Sequence, residues 1–431
     1  MDCRMVRGFY LRANREINCY CSTGEQVVLA DLPENGLKFN FIHDWYLAET
    51  MNRLRHSFLA NRLPFPKHCM KCNYFDPAGK PQEKLFSTEI EWAHMEPMAV
   101  CNLACLFCAH GIKGSERRYP RKPPHKLDPA LYDRIIDDIA SAGMRIKYSY
   151  FSGLGEPGLH EDVWAMVRKA KEAFETNFLV NTNGNIPFSE EILSSGLDKI
   201  KIALDDLNPE RYSRYRVQGD VRKVIELTKK IAGHKRKLHV DHPEIIWQKV
   251  LFGEANSERA LIEYQELASD LGVDTIWFIN TWTQGYSGIK VDAIPHIFPN
   301  IRVFDDFANV TLPLSELAET LNRLRNTPSL AGYFRLIWKI VHWCELNMNN
   351  RDMYQDYGQC EFADPALFHL RAGDKDHELY RQALFECLAG VADAYAVLGD
   401  EEESHKYRRM LRQGYAESWQ EWIRQDSASL K

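Results

Sequence analysis

The segment 100-VCNLACLFCAHG-111 places three cysteines within eight residues. Cys101, Cys105 and Cys108 have the spacing C-x3-C-x2-C, and cysteine thiolates are ligands of zinc and of iron–sulfur clusters. A structural zinc site needs four protein ligands, and His110 is the one additional donor nearby. The segment therefore favours a four-iron cluster held by three cysteines, which leaves one iron open to an external ligand.

The region around this segment alternates between strand-like and helix-like patterns. Six strands are expected, at residues 89–98, 146–153, 177–184, 198–206, 242–253 and 273–280. Alternating strands and helices predict parallel βαβ units. Six units are too few for a closed eight-stranded barrel, so we expect an α/β fold with a partial (β/α)6 TIM-like barrel; a doubly wound sheet is the alternative. In both, ligands bind at the carboxyl ends of the strands, where the cysteine loop lies.

Three regions are expected along the chain. Residues 1–86 form an irregular, cysteine-rich module, residues 87–310 the barrel and residues 311–431 a helical region. One helix is predicted within the first region, at 44–61. Its apolar residues at helical spacing are Trp45, Leu47, Met51, Leu54 and Phe58.

Composition excludes several classes of protein. The 431 residues carry a net charge of −6, which gives no general attraction to nucleic acid. We interpret the basic run at 116–126 as a solvated loop, with RNA modification as a minor alternative. No apolar run approaches the ~20 residues of a membrane span, and the N-terminus has no signal-peptide pattern, so a cytoplasmic protein is expected. The eleven cysteines are odd in number and clustered, which argues against a disulfide framework.

The cysteine spacing, together with Phe107, resembles the signature of the radical S-adenosylmethionine (radical SAM) superfamily. Two further segments resemble that family: 152-SGLGEPGLH-160, similar to its Gly-Gly-Glu segment, and 180-VNTNGN-185, similar to its Thr-Asn-Gly turn. The resemblance implies a 4Fe–4S cluster that binds SAM through its open iron. Reductive cleavage of SAM then produces a 5′-deoxyadenosyl radical, which abstracts hydrogen from the substrate.

The resemblance also implies site residues. The expected SAM-binding residues are Phe107, Gly153, Gly155, Glu156, Asn181, Asn183, Gln248, Ile276 and Phe278. Leu154 and Ala203 depart from the family pattern, which has glycine and serine there. Asp205 and Asp206 end the fourth strand and are candidate catalytic residues, although a strand-end aspartate also commonly caps a helix.

A second cysteine set lies in the N-terminal region. Cys19, Cys21, Cys69 and Cys72 resemble the cysteines of SPASM and twitch modules, which hold auxiliary clusters. A second 4Fe–4S cluster is the preferred interpretation; a structural zinc site or free thiols are the alternatives. Cys344 and Cys360 are weaker candidates, and three roles are open for them: ligands of another cluster, a hydrogen-atom donor to the substrate, or buried residues of the core.

These residues together predict a radical SAM oxidoreductase. After hydrogen abstraction from a peptide or small metabolite, the substrate radical would lose a proton and pass an electron to the auxiliary cluster. The outcome would be dehydrogenation or bond formation, with a flavodoxin- or ferredoxin-type protein as the reductant. The alternatives are a redox-neutral epimerase and a non-catalytic iron–sulfur or zinc protein with a helical interaction surface. A cobalamin-dependent methyltransferase is disfavoured, because no separate cobalamin-binding domain is visible in the sequence before the barrel.

Overall fold

The structure is a computed structural model. It describes residues 2–19, 27–33, 39–60, 64–65, 69, 75–76, 88–105, 108, 124–251, 258–280, 302–305 and nine single positions between 389 and 409. The strands are β1 Asp2–Cys3, β2 Gly8–Leu11, β3 Glu16–Cys19, β4 Val27–Asp31, β5 Phe75–Asp76, β6 Glu89–Met95, β7 Arg145–Phe151, β8 Asn177–Thr182, β9 Lys199–Ala203, β10 Glu244–Leu251, β11 Thr275–Asn280 and β12 Arg302–Asp305. The α-helices are α1 Glu49–Leu59, α2 Pro129–Ser141, α3 Val163–Ala173, α4 Glu191–Ser194, α5 Pro209–Tyr215, α6 Val221–Leu238 and α7 Glu258–Leu271.

The strands β6 to β12 are neighbours in chain order, and each is parallel to the next. A doubly wound sheet reverses its strand order at a switch point, whereas a barrel-type sheet does not. The order confirms the α/β class and the six predicted parallel strands, and it agrees with a partial barrel rather than a doubly wound sheet. Strand β12 was not expected, because its four residues lie in a region without visible periodicity.

Strands near the N-terminus extend the same sheet, in a region where the sequence predicts irregular structure. Strand β2 runs parallel to β6, and β3 and β4 continue the sheet in antiparallel pairs. A Cβ atom at Gly8 would lie 2.2 Å from the Trp92 carbonyl oxygen, so glycine permits this pairing. Strands of four or five residues are too short to show a periodic pattern. The division into a 1–86 module, a barrel and a helical region stays a prediction.

The helix expected at 44–61 is confirmed as α1, preceded by a π-helical turn at Ile42–Tyr46. Met51, Leu54 and Phe58 are buried on one side of α1, as their spacing predicts. Leu47 is 43% exposed, because it follows the π-helical turn and lies outside the helix. The apolar stripe therefore begins two residues inside α1.

One face of the parallel strands forms the hydrophobic core. Val180, Trp247 and Phe278 are fully buried on this core face. Side chains alternate between the two faces of a strand, so their immediate neighbours lie on the opposite face. We call that opposite face the polar face; its defining residues are His94, Asn181, Lys201, Gln248 and Trp277.

The chain divides into two compact units. The first comprises Met1–Phe75, Gly79–Thr281 and Ile289–Asp306, and the second comprises Asp76–Ala78, Trp282–Gly288 and Phe307–Lys431. Most of the predicted helical region 311–431 lies outside the described residues, as do Cys344 and Cys360. Within the described part of the chain, no helix combines the length and apolar character needed to cross a membrane.

Candidate functional site

The loops that follow β6, β7 and β8 contact one another at the carboxyl edge of the sheet. The backbone N–H of Glu156 donates to the Val100 carbonyl at 3.0 Å. The Asn183 backbone N–H donates to Glu156 Oε2 at 2.6 Å, and its side-chain Nδ2 donates to Cys101 Sγ at 3.5 Å. The three segments predicted to form a SAM site are therefore brought together.

The three cysteines of the first set lie in the loop after β6. Cys105 is buried, whereas Cys101 and Cys108 are half-buried. Burial raises the pKa of the Cys101 thiol, and it raises the pKa of Cys105 to about 11. A metal ligand must be deprotonated, so binding at these thiols would release protons. N–H groups of Leu103 and Asn183 reach Cys101 Sγ, and Arg216 Nη1 lies 4.0 Å from Cys105 Sγ.

The positions of these thiols do not match a compact tetrahedral zinc site. A tetrahedral zinc–thiolate site, with bonds of about 2.3 Å, holds its sulfurs about 3.8 Å apart. In the described residues, no metal-ligand group within 4.8 Å includes Cys101, Cys105 and Cys108 together. Their number, three, matches a four-iron cluster that leaves one iron to an external ligand. Phe107, expected beside them, lies outside the described residues.

Gly155 permits the close approach of the β6 and β7 loops. A Cβ atom at Gly155 would lie 1.9 Å from the Met98 carbonyl oxygen. Gly153 has a φ of +151°, a conformation that side chains disfavour, and it lies against the buried Glu96 carboxylate. Glu96 Oε1 accepts from the Leu154 N–H at 2.7 Å, which fixes this turn.

Glu156 is 2% exposed, and burial raises the pKa of its carboxyl. One oxygen accepts from Gly158 N–H at 3.0 Å, and the other from Asn183. The carboxylate thus ties the β7 loop to the β8 loop. Its predicted contact with the SAM ammonium stays a prediction.

Asn181 and Gln248 share the polar face, as the resemblance implies. Asn181 pairs in register with Lys201, and Gln248 with Trp277. The Oδ1 atom of Asn181 is buried and has no hydrogen-bond partner in the described part of the protein. Buried polar atoms are rarely left unpaired, so this acceptor is suited to a ligand donor. Lys201 Nζ lies 4.3 Å from the centre of the Trp277 ring.

Ile276 and Phe278 do not lie with the other predicted SAM-binding residues. Both belong to the hydrophobic core, and the Phe278 ring is 6.4 Å from that of Tyr264 on α7. Their side chains occupy the core face, so side-chain contact with a ligand on the polar face is not expected. Trp277, between them in sequence, lies on the polar face.

Asp205 and Asp206 are engaged by arginines rather than exposed for catalysis. Asp205 is 2% exposed; its Oδ2 accepts from Arg216 Nε at 2.6 Å, and its Oδ1 accepts from the Val250 N–H at 2.9 Å. Asp206 accepts from Arg211 Nε at 2.7 Å and from the Asn208 N–H at 2.8 Å. These contacts organise the loop after β9, and a catalytic role for either aspartate stays a prediction.

Two residues beside the site were not singled out from the sequence. Arg216 donates to Asp205 and lies close to Cys105. In the sequence, its position after an aspartate that ends a strand is the feature that could have indicated its role. His94 Nε2 lies 2.6 Å from Ser152 Oγ, at the start of the 152–160 segment. Burial lowers the pKa of His94 to about 4, so the imidazole is neutral near pH 7.

A separate cluster of metal-ligand residue types is explained by local structure. His160, Glu161 and Asp162 place their ligand atoms within 4.8 Å of one another. The His160 ring is already occupied, since Nε2 pairs with the Leu127 carbonyl at 2.9 Å and Nδ1 accepts from the Asp162 N–H at 3.1 Å. Glu161 forms an ion pair with Lys126. These contacts leave the imidazole no free lone pair for a metal.

The second cysteine set is described only in part. Cys19 ends β3 and is half-buried, and Cys69 is 7% exposed. Cys21 and Cys72 lie outside the described residues. A cluster or zinc ion at these four cysteines stays a prediction.

Known proteins are similar to the part of the chain that contains these loops. Residues 95–241 match the family model described as the radical SAM superfamily. The chain is 30% identical over 148 residues to a probable GTP 3′,8-cyclase of Methanocaldococcus jannaschii, covering 34% of this chain and 46% of that protein. It is 27% identical over 176 residues to a protein of the same name from Pyrococcus horikoshii, covering 38% and 53%. The chain thus spans about half the length of these curated relatives.

Solved structures with similar chains include S-adenosylmethionine-bound SuiB from Streptococcus suis. That match has a TM-score of 0.38 at 14% identity and covers 69% of this chain and 71% of SuiB. Another is BtrN in complex with AdoMet and 2-DOIA, with a TM-score of 0.27 at 18% identity, covering 36% of this chain and 55% of BtrN.

Proposed function

Because this chain belongs to the radical SAM superfamily, we propose that it cleaves SAM reductively and abstracts hydrogen from an organic substrate. The observation that carries this proposal is the contact of Cys101 with Asn183, which in turn binds Glu156. A protein that merely stored a metal would need thiols, but it would not need these two segments beside them. The arrangement therefore favours catalysis over a scaffold role.

Cys101, Cys105 and Cys108 would hold the cluster. A reduced 4Fe–4S cluster supplies the electron that cleaves SAM to a 5′-deoxyadenosyl radical. Asn183 and Arg216 direct N–H groups at two of the sulfurs, and such donors stabilise thiolate charge. Asn181 offers its unpaired amide oxygen to a ligand on the polar face.

We infer that the substrate lies on the polar face, next to Asn181, Lys201, Gln248 and Trp277. This face offers an ammonium, two amides and an indole ring, which suits a polar molecule with hydrogen-bonding groups. The core face, in contrast, is lined mainly by apolar side chains. A peptide segment or a small polar metabolite is compatible with this surface.

The proposed reaction class is oxidation of the substrate. Net oxidation requires an electron acceptor, and Cys19, Cys21, Cys69 and Cys72 are the residues that would hold an auxiliary 4Fe–4S cluster. In the structure Cys19 is half-buried and Cys69 is buried. Without an acceptor, a redox-neutral epimerisation is the alternative.

The named relatives support a second candidate, cyclisation of a purine nucleotide. These relatives are named as GTP 3′,8-cyclases, and the similarity includes the radical SAM segment. The matched part is about half of those proteins, so GTP is a substrate to test. Loss of GTP and formation of a cyclised product, followed by liquid chromatography and mass spectrometry, would support this candidate.

The deciding experiment counts iron and sulfide per chain after anaerobic reconstitution. The wild type is compared with two variants, one with Cys101, Cys105 and Cys108 changed to Ala and one with the N-terminal four cysteines changed. Each is assayed for 5′-deoxyadenosine formed from SAM and dithionite, with and without GTP. We expect about eight irons in wild type and about four in each variant, with 5′-deoxyadenosine lost only when the 101–108 cysteines are absent.

Two outcomes would change this proposal. Iron-loaded wild type that forms no 5′-deoxyadenosine with any tested substrate would contradict catalysis. About four irons in wild type, falling to none in the 101–108 variant, would remove the auxiliary cluster while retaining SAM cleavage.

A further inference from the structure

A cavity of about 510 Å³ lies at the carboxyl ends of β9 and β10, beside α5 and α7. Its charged lining residues are Asp206, Arg211, Lys249, Arg259 and Glu263. Lys249 follows Gln248 in β10, so its side chain lies on the core face, opposite the polar face. The sheet therefore separates this cavity from the proposed substrate surface.

Lys249 is the unusual residue of the cavity. It is 1% exposed, and its ammonium donates one hydrogen bond, to the Asp205 carbonyl oxygen. The face of the Tyr264 ring, 5.2 Å away, gives partial compensation. Among the described residues, no carboxylate lies within ion-pair distance of Lys249. Buried charges in proteins are normally paired, so this ammonium lacks its usual partner.

The nearby carboxylates are already committed to arginines. Asp205 pairs with Arg216 at 2.6 Å, and Asp206 pairs with Arg211 at 2.7 Å. The cavity is lined by three cations and two carboxylates, which leaves one positive charge in excess. Burial lowers the pKa of Lys249 to about 8, so most of the side chain stays charged at pH 7.

We propose that this cavity binds an anionic small molecule, whose phosphate or carboxylate group forms the missing ion pair with Lys249. A volume of about 510 Å³ falls within the range of small-molecule sites, and it exceeds what a single inorganic anion would fill. The proposal is independent of the radical chemistry, since it requires neither the cluster nor the polar face.

The first test measures anion binding to the full-length reconstituted protein. Wild type is compared with Lys249→Met by calorimetric titration with phosphate and with acetate, against chloride at equal ionic strength. We expect at least one of the two anions to bind wild type, and to bind Lys249→Met at least tenfold more weakly. Equal affinity for both proteins would place the anion elsewhere and overturn the proposal, as would no binding of either anion to wild type.

Thermal unfolding without added anion should distinguish Lys249→Met from a control variant by the direction in which the unfolding temperature changes. Lys171 is the matched control, because it pairs with Asp198 at 2.8 Å and donates to the Thr176 carbonyl at 2.7 Å. Lys171→Met leaves Asp198 without its cation and should unfold at a lower temperature. Lys249→Met removes a buried charge that has no carboxylate partner and should unfold at the same or a higher temperature. A large loss for Lys249→Met would mean that the protein itself already compensates this ammonium, and would contradict the proposal.

A third measurement uses the unmodified chain, so it does not depend on the folding of a variant. Reductive methylation with formaldehyde is followed at individual lysines by mass spectrometry, with phosphate, acetate or chloride present. We expect phosphate or acetate to slow the labelling of Lys249 severalfold and to leave Lys171 unchanged. Protection by one anion identifies the preferred group, whereas equal labelling under all three conditions would refute the site.

Discussion

Replacing Gly155 with alanine tests whether the contact between two loops forms the site. The added Cβ atom would lie 1.9 Å from the Met98 carbonyl oxygen and 2.6 Å from its carbonyl carbon. Both are backbone atoms, which cannot move aside as a flexible side chain can. Non-bonded carbon and oxygen atoms do not approach so closely, so the two loops would have to separate by about 1 Å or more.

That displacement acts directly on the cysteine loop. The bond from Glu156 N–H to the Val100 carbonyl, now 3.0 Å, joins the same two loops next to Cys101. Overpacking of this kind costs about 1–3 kcal/mol of stability, and a misplacement of about 1 Å at a reacting centre lowers rates by about 100-fold. We expect Gly155→Ala to fold, to hold less iron and to form 5′-deoxyadenosine about 100-fold more slowly.

Gly233→Ala is the matched control. Gly233 lies within α6, where an added Cβ would meet nothing within 4 Å. Alanine is more favourable than glycine inside a helix by about 1 kcal/mol, so this variant should be more stable, with iron and turnover unchanged. Iron content, urea unfolding and 5′-deoxyadenosine formation are measured for both variants. Wild-type iron and turnover in Gly155→Ala would refute the reasoning.

Three further predictions concern neighbouring contacts. Arg216→Met leaves the buried Asp205 carboxylate without its cation and should lower the free energy of unfolding by about 3–5 kcal/mol in urea; a loss below about 1 kcal/mol would contradict this. Between pH 6.5 and about 4, the unfolded state binds a proton at His94 that the folded state does not, because burial lowers the pKa of His94 in the folded protein. The wild type should therefore lose stability as the pH falls through this range, and His94→Gln should lose less. Unfolding midpoints of both proteins across this pH range measure the difference. Asn183→Ala removes an N–H donor from Cys101 Sγ and should lower the cluster's midpoint potential in a redox titration; an unchanged potential would argue against this bond.

The six parallel strands follow from the sequence because each is an apolar segment between helices, whereas their order in the sheet comes from the structure. The meeting of Cys101, Glu156 and Asn183 follows as well, since the carboxyl ends of parallel strands share one edge of a sheet. These residues were separated by up to 82 positions, and topology alone brings them together. The resemblance to a known family supplied the chemistry that is proposed for this edge.

The side of β11 that faces the ligand could not be predicted. Its sequence, TIWFIN, is almost continuously apolar, because a parallel strand covered on both faces shows no alternation. Ile276 and Phe278 therefore look as suited to a ligand as Trp277 does. Only the register with β10 and the packing of Phe278 against α7 decide between them.

Asp205 shows why a strand-end acid is ambiguous in a sequence. Such a residue either acts on the substrate or caps a helix, and each of these roles gives its carboxylate a single partner. In the structure its carboxylate binds Arg216, which reaches towards Cys105, while its carbonyl accepts from Lys249. One residue thus links the cysteine loop on one side of β9 to the Lys249 cavity on the other. Asp205 contacts both Arg216 and Lys249, so a change in its backbone position would be transmitted to the surroundings of Cys105 and of Lys249. These two residues are 144 positions apart in the sequence.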